Sequence, residues 1–417
     1  MTRPPRGVRR MRTTLLVLLV LIGIVNYIDR STLAIANSSV QEEFGIGPAE
    51  MGLLLSVFSW AYAFGQLPAG GLLDRFGPRR VLGGGLLLWS IAQAAAGLAA
   101  NVKQMLVARV FLGLGEAPAF PGGAKVVATW YPKESRGTPI GIFNTASTLA
   151  PAIGPPLLTW LMLSYGWRAM FVIAGVAGIV LALVWFAVYR DRPRSDEEGV
   201  EAAPEPVSLR EWAGLLRHRS TWGMILGFSG VIYSVYLYLT WLPAYLEGER
   251  GLSLAQTGVA LIVPYLAGTL GMLAGGGVGD LLMRRGVPTM LARKIPICTG
   301  LLVGGLCTVP VALVPSTALA LLCLSLAQFF INSASSGAWS LASTVGTERI
   351  TASLGSLQNF GGYFGGAFAP LITGIIVERT GSFVLALLSA GAIAILAALS
   401  YAFLVRDPIG ADDAPVP

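Results

Sequence analysis

Histidine is almost missing from this chain: His218 is the only one among 417 residues. One histidine, in a polar stretch, removes Ser/His/Asp and Cys/His catalytic sets and a histidine proton relay. Charge is scarce as well. Acids and bases make up 12% of the residues, about half of the roughly 25% carried by a soluble domain. Cysteine is limited to Cys298, Cys307 and Cys323, all in apolar segments, which suits small core residues better than a disulfide or a metal site. The longest stretch outside the apolar runs has about 30 residues, too short for the output domain of a receptor. No phosphate-binding loop precedes a helix, so an integral membrane enzyme has no visible chemistry.

What the chain has is apolar length. It is 54% hydrophobic, with a mean hydropathy of +0.68. A helical span needs about 20 mainly apolar residues. Twelve such runs occur, at 13–37, 50–73, 80–100, 103–127, 137–163, 167–189, 221–246, 255–281, 293–314, 317–343, 350–377 and 382–405. The expected fold is all-α and integral to the membrane, twelve transmembrane helices in two pseudo-symmetric six-helix halves. The domains follow: a basic N-terminus 1–12, a first half 13–189, a linker 190–220, a second half 221–405 and a tail 406–417. The basic start followed by an apolar run imitates a secretory signal. The run continues past Asp29 and Arg30 to about Asn37, so the first transmembrane helix is the reading adopted.

A net charge of +7 invites a nucleic-acid partner, but the basic residues lie between apolar spans. Their distribution orients the chain. Five arginines precede the first span and six lie in the central linker. The even-numbered loops carry Arg75, Arg79, Arg80, Lys133, Arg136, Arg284, Arg285, Arg293, Lys294 and Arg349; the odd-numbered loops hold only Lys103, Arg168, Arg250 and Arg379. Both termini are therefore expected in the cytoplasm.

The halves are related. At a constant offset of 206 residues, Gly45, Ala49, Gly52 and Gly65 align with Gly251, Ala255, Gly258 and Gly271. Gly70, Gly71, Asp74 and Arg79 likewise align with Gly276, Gly277, Asp280 and Arg285. Internal repeats of this kind place a substrate site at the bilayer midplane.

Only two acids, Asp29 and Glu116, lie deep inside the spans, while Glu50 and Asp280 stand at span ends. A charge at bilayer depth is costly and is usually kept for moving ions or protons. Arg30 is beside Asp29, and Arg109 is seven residues before Glu116. Seven residues is about two helical turns, so Arg109 and Glu116 share a face. Adjacent helix positions do not face each other, so Asp29 and Arg30 are read as having separate roles. Lys125 is expected to snorkel to the membrane surface. Tyr233, Tyr236, Tyr238 and Trp241 form an aromatic stretch divided between packing and cavity lining, and Gln328, Asn332 and Gln358 are weaker cavity candidates. Dense glycines suit helices that approach closely and slide. Pro118, Pro121, Pro155, Pro156 and Pro370 are expected to bend their helices.

Gly71-Leu72-Leu73-Asp74-Arg75-Phe76-Gly77-Pro78-Arg79-Arg80, with a degenerate copy from Gly277 to Arg285, resembles the loop 2–3 signature of the major facilitator superfamily. Arg109 to Glu116 resembles its span 4 pattern. Ala117 to Gly122, Trp130-Tyr131-Pro132, Asn26-Tyr27-Ile28-Asp29-Arg30, Ala338-Trp339-Ser340-Leu341 and Asn359-Phe360-Gly361-Gly362 narrow the likeness. Together they resemble the anion:cation symporter family, bacterial sugar-acid:proton symporters related to sialin, the D-galactonate type above all. The resemblance implies that Asp29 and Glu116 titrate protons, that Arg109 couples span 4 to protonation and that Arg30 engages the substrate carboxylate. It implies that Asn26, Tyr62, Trp339, Ser340 and Asn359 line the substrate site. It implies gating by Asp74, Arg75, Arg79, Arg80 and Asp280. Ser147 departs from the pattern, standing where galactonate transporters place a glutamine. The implied protein imports an organic anion with protons by alternating access, as a monomer in the bacterial inner membrane, with no cofactor beyond the coupling proton. The alternative is an antiporter or uniporter on the same fold, for which Gly154-Pro155-Pro156 is a fragment of an antiporter-type pattern.

Overall fold

A computed structural model describes residues 6–131, 135–190, 214–346, 350–406 and 409. Most of the linker, the C-terminal tail, Lys133 and Arg349 lie outside the described residues. The described chain is almost entirely helical.

The helices are α1 Arg6–Ile35, α2 Asn37–Phe44, α3 Pro48–Gly97, α4 Val102–Glu116, α5 Ala119–Trp130, α6 Gly137–Asn144 and α7 Ala146–Val188. They continue as α8 Arg219–Gly248, α9 Leu254–Ala260, α10 Ile262–Arg284, α11 Thr289–Leu313, α12 Thr317–Val345, α13 Thr351–Gly366, α14 Phe368–Thr380 and α15 Val384–Phe403. Several are fragments or fusions of the expected spans, each with a local cause. In α3 the loop 2–3 signature is a sharp bend at Gly77 (φ 76°, ψ 159°), and α7 bends at Gly166 (φ 82°, ψ 165°). Both angles lie in a region that only glycine occupies without strain. Pro118 sits at the break between α4 and α5. Splitting α3 at Gly77 and α7 at Gly166 and joining helices separated by only one or two residues gives twelve helical segments among the described residues. Among the described residues, eight helices are each long and apolar enough to cross a membrane unaided.

Polar side chains at helix starts satisfy the free N–H groups left there. Asn101 accepts from the Gln104 amide, Ser316 from the Leu319 amide, and Ser253 forms a capping box with Gln256. Four cations satisfy carbonyls at helix C-termini. Arg168 donates to Gly97 and Ala99, Arg250 to Val311 and Val314, Arg136 to Ala128 and Tyr131, and Lys294 to Ala402 and Val405.

The chain divides into two compact units, one of Met1–Gly47, Leu53–Glu198 and Leu252–Ile262, the other of Pro48–Gly52, Gly199–Gly251 and Val263–Pro417. These differ from the sequence halves at two short segments, and glycines explain both. In the second unit a Cβ on Gly52 would lie 2.5 Å from the Pro370 carbonyl oxygen; in the first, one on Gly258 would lie 2.6 Å from Thr159 Oγ1. Gly52 and Gly258 are also partners in the 206-residue repeat.

Candidate functional site

The first unit gathers most of the sequence-predicted site. From α1 come Asn26, Asp29 and Arg30, from α3 Tyr62, and from α4 Arg109 and Glu116; all six are buried, Asp29 and Glu116 at 0% exposure. Glycine brings the helices this close. A Cβ on Gly115 of α4 would lie 2.7 Å from the Trp89 amide nitrogen of α3. The two backbones therefore touch, and the same arm of α3 turns Trp89 toward Asp29 and Gln93 toward Thr32 of α1.

Arg30 is the hub. Its Nε donates to Glu116 Oε2 at 2.8 Å, across 86 residues of sequence. Its guanidinium carbon stands 4.6 Å from the Tyr62 ring centroid, 4.8 Å from Tyr27 and 5.3 Å from Phe58. A cation this desolvated draws on ring quadrupoles as well as on its counter-ion. Arg109 stands 5.0 Å from the other partner of the same cage, Phe58. It acts on Glu116 and on Asp29 through space. The sequence coupled Arg109 to Glu116 by their shared helix face; the short ion pair belongs to Arg30 instead, because α1 packs against α4 at that depth.

Asp29 is placed differently. Among the described residues it makes no salt bridge, and its carboxylate faces the Trp89 indole N–H. Its own carbonyl accepts from Thr32 Oγ1 at 2.7 Å, and Thr32 in turn accepts from Gln93 Nε2 at 2.9 Å. Asn26 lies close enough to Glu116 to donate to it. Ser147 donates to the Asn144 carbonyl at 2.8 Å and meets the Tyr27 phenol, so it joins the site through that ring.

In the second unit Trp339 and Ser340 lie on α12 and Asn359 on α13. Trp339 is 53% exposed and packs edge-on against Phe228, with centroids 5.7 Å apart. Ser340 donates to the Gly337 carbonyl. Gln358 is a brace rather than an open polar group, donating from full burial to the Ala338 carbonyl at 3.0 Å. Of the aromatic stretch on α8, Tyr238 bonds Thr308 and Trp241 donates to the Pro370 carbonyl, so both are structural, while Tyr236 packs on Tyr363.

The proposed gating residues have local partners. Asp74 pairs with Lys125 at 2.6 Å, and Lys125 also donates to the Leu73 carbonyl, so this lysine bridges rather than merely snorkels. Arg79 donates to the Phe186 carbonyl, Arg75 lies over the Phe76 ring and Arg80 is exposed. Asp280 pairs with Arg293 at 3.1 Å.

Sequence reasoning passed over Phe58, Trp89, Gln93 and Thr32, and gave Tyr27 no role. A signal existed: Phe58 and Tyr62, and Trp89 and Gln93, are each four residues apart and so share a helix face.

The family described as Major Facilitator Superfamily matches residues 19–370. A probable L-galactonate transporter of Escherichia coli strain K12 is 43% identical over 97% of this chain and 93% of its own length. A D-galactonate transporter of Escherichia coli O6:H1 is 34% identical over 95% of this chain and 96% of its own. A probable galactarate/D-glucarate transporter of Bacillus subtilis strain 168 is 36% identical over 95% and 92%. Among solved structures, a bacterial homologue of the human lysosomal transporter Spinster, inward-facing and occupied, superposes with a TM-score of 0.80 at 21% identity, covering 97% of this chain and 99% of that one.

Proposed function

This chain is a multi-pass transporter of the major facilitator superfamily, and from that premise we propose that it imports a sugar acid, an aldonate of the galactonate type, together with protons. The observation that carries the reading is the buried Arg30–Glu116 pair with Asp29 beside it. Arg30 presents a planar donor fork, the group suited to a carboxylate, and it is held in an aromatic cage whose hydroxyl-bearing walls, Tyr27 and Tyr62, suit a polyol chain. The relatives' names point to the same substrate class.

The chemistry follows from charge balance. An unloaded site holds Arg30 as a cation and Glu116 as its anion. An entering carboxylate competes for the same guanidinium. A proton on Glu116 releases Arg30 N–H groups to the substrate and leaves the pocket neutral overall. Neutrality at depth matters because an uncompensated buried charge costs about 3–5 kcal/mol. A second proton on Asp29 makes the transported set two protons and one anion, one net positive charge inward. The membrane potential then contributes about 2.3 kcal/mol per 100 mV. Arg109 senses both acids and tells the rest of α4 which of them is charged. Tyr62, Asn26, Ser147, Trp339, Ser340 and Asn359 contribute to substrate binding, and Asp74, Arg75, Arg79, Arg80 and Asp280 to gating. The bias of arginine and lysine toward alternate loops supports cytoplasmic termini, and the reading takes the protein to be a monomer in a bacterial inner membrane.

Proteoliposomes loaded with buffer and exposed to labelled galactonate under an inward proton gradient test this reading. Concentrative uptake that collapses with a protonophore supports it; uptake indifferent to the gradient leaves a uniporter, and no uptake of any sugar acid removes the substrate class.

A further inference from the structure

One cavity of the first unit lies away from the charged cluster. It is a groove of about 570 Å³ between the second arm of α3 and α4, lined by Leu88, Ile91, Ala95, Val107 and Phe111 along its length, with Lys103 and Gln104 at one end. Its walls face outward: Ile91 is 50% and Val107 56% exposed. In a membrane protein these side chains meet lipid, yet a continuous furrow at a fixed place offers more than annular contact.

Three observations specify an occupant. The first is length. Leu88 to Ala95 and Lys103 to Phe111 each rise about 10–12 Å along their helices, close to the roughly 15 Å of one hydrocarbon leaflet. A single acyl chain fits that run. The second is charge. Lys103 is exposed at the polar end, and among the described residues no acid pairs with it. Gln104, the other polar group there, is tied to the helix start, its side-chain Oε1 accepting from the Ala100 amide at 2.7 Å and its backbone N–H donating to Asn101 Oδ1. The third is the position of Lys103 in the first turn of α4, the 15-residue helix that starts at Val102. A cation at a helix N-terminus opposes the helix dipole, and an anion there is favoured. A phosphate at this place would satisfy the lysine and the helix end together.

We propose that this groove is a binding site for one anionic phospholipid, phosphate on Lys103 and acyl chain along Ile91, Ala95, Val107 and Phe111. It lies in the leaflet of the α3–α4 turn and is separate from the proposed substrate site, so it stands whether or not the sugar-acid reading does.

The test is photolabelling of the full-length protein in nanodiscs with a phosphatidylglycerol bearing a diazirine in its acyl chain, against the matching phosphatidylcholine, with labelled residues mapped by mass spectrometry. Wild type should carry label on 88–95 and 107–111 with about a fivefold preference for phosphatidylglycerol, the increment of one lysine near a membrane surface. Lys103→Gln should bring the two lipids level, Lys103→Arg should retain the preference, and Ala95→Trp, whose side chain points into the groove, should clear the label. Equal labelling of wild type by both lipids, an unchanged preference in Lys103→Gln, or a groove found covered by a second copy of the chain would each overturn the assignment. Should Ala95→Trp not fold, the two Lys103 variants decide the matter alone.

Discussion

Arg30→Lys is the perturbation that separates geometry from charge. Arg30→Ala would leave Glu116 buried without its cation and confuse recognition with collapse; lysine keeps the charge. What it gives up is the planar fork and its stacking. Three rings stand 4.6, 4.8 and 5.3 Å from the guanidinium. A desolvated cation–π contact contributes roughly 1–2 kcal/mol. A compact ammonium holding the Glu116 end of the cage keeps about half of that total and loses bidentate engagement of a carboxylate. The ring contacts are made without substrate and so bear on stability; the loss in binding is that of one charge-assisted hydrogen bond, about 2 kcal/mol, or about thirtyfold in the Kd of a sugar acid at 1.36 kcal/mol per tenfold. Isothermal titration of purified protein with galactonate measures it, with thermal unfolding as the control for fold. A Kd within about threefold of wild type, on a folded protein, would refute the idea that guanidinium geometry is what recognises the carboxylate.

Other consequences follow from particular contacts. Glu43 accepts from Trp167 Nε1 at 2.7 Å and from Arg168 at 2.6 Å, and these donors hold its carboxyl below the usual glutamate range. A depressed value contributes stability above the ordinary titration range and loses it as pH falls through the folded-state value. Melting in detergent should therefore drop between about pH 5 and pH 3, and drop less in Glu43→Gln. Lys125→Gln removes the Asp74 partner, but the Asp74 side chain is 79% exposed, so unfolding should shift by less than about 1 kcal/mol while transport rate changes; a large stability loss would argue for a structural bridge. Gly115→Ala puts a Cβ 2.7 Å from the Trp89 amide nitrogen, and it should cost about 1–3 kcal/mol and impair transport, read by melting and uptake together.

Much of this was legible in the sequence because the bilayer makes charge conspicuous. Asp29, Arg30, Arg109 and Glu116 stand out in apolar runs, and the structure buries all four. The pairing among them was not legible. Helical periodicity relates Arg109 to Glu116, whereas the Arg30–Glu116 contact depends on how α1 packs on α4, which no local spacing encodes. Phe58 and Tyr27 were obscured for the opposite reason, since an aromatic residue in a membrane helix reads as packing until a cation is found against its face, and Trp89 reads so until its indole N–H is found facing Asp29. The loop 2–3 signature was legible as a motif, but not as a bend within continuous helix at Gly77, where a positive φ replaces a loop.

The most direct test of the proton-coupled account is galactonate uptake into proteoliposomes under an imposed inward proton gradient, compared between wild type and Glu116→Gln. The account predicts that wild type accumulates substrate above equilibrium. Glu116→Gln, with Arg30 permanently released, should still exchange substrate across the membrane but no longer concentrate it. Concentrative uptake by Glu116→Gln at the wild-type level would contradict the account, because the Arg30–Glu116 pair could then not be the element that links proton to anion.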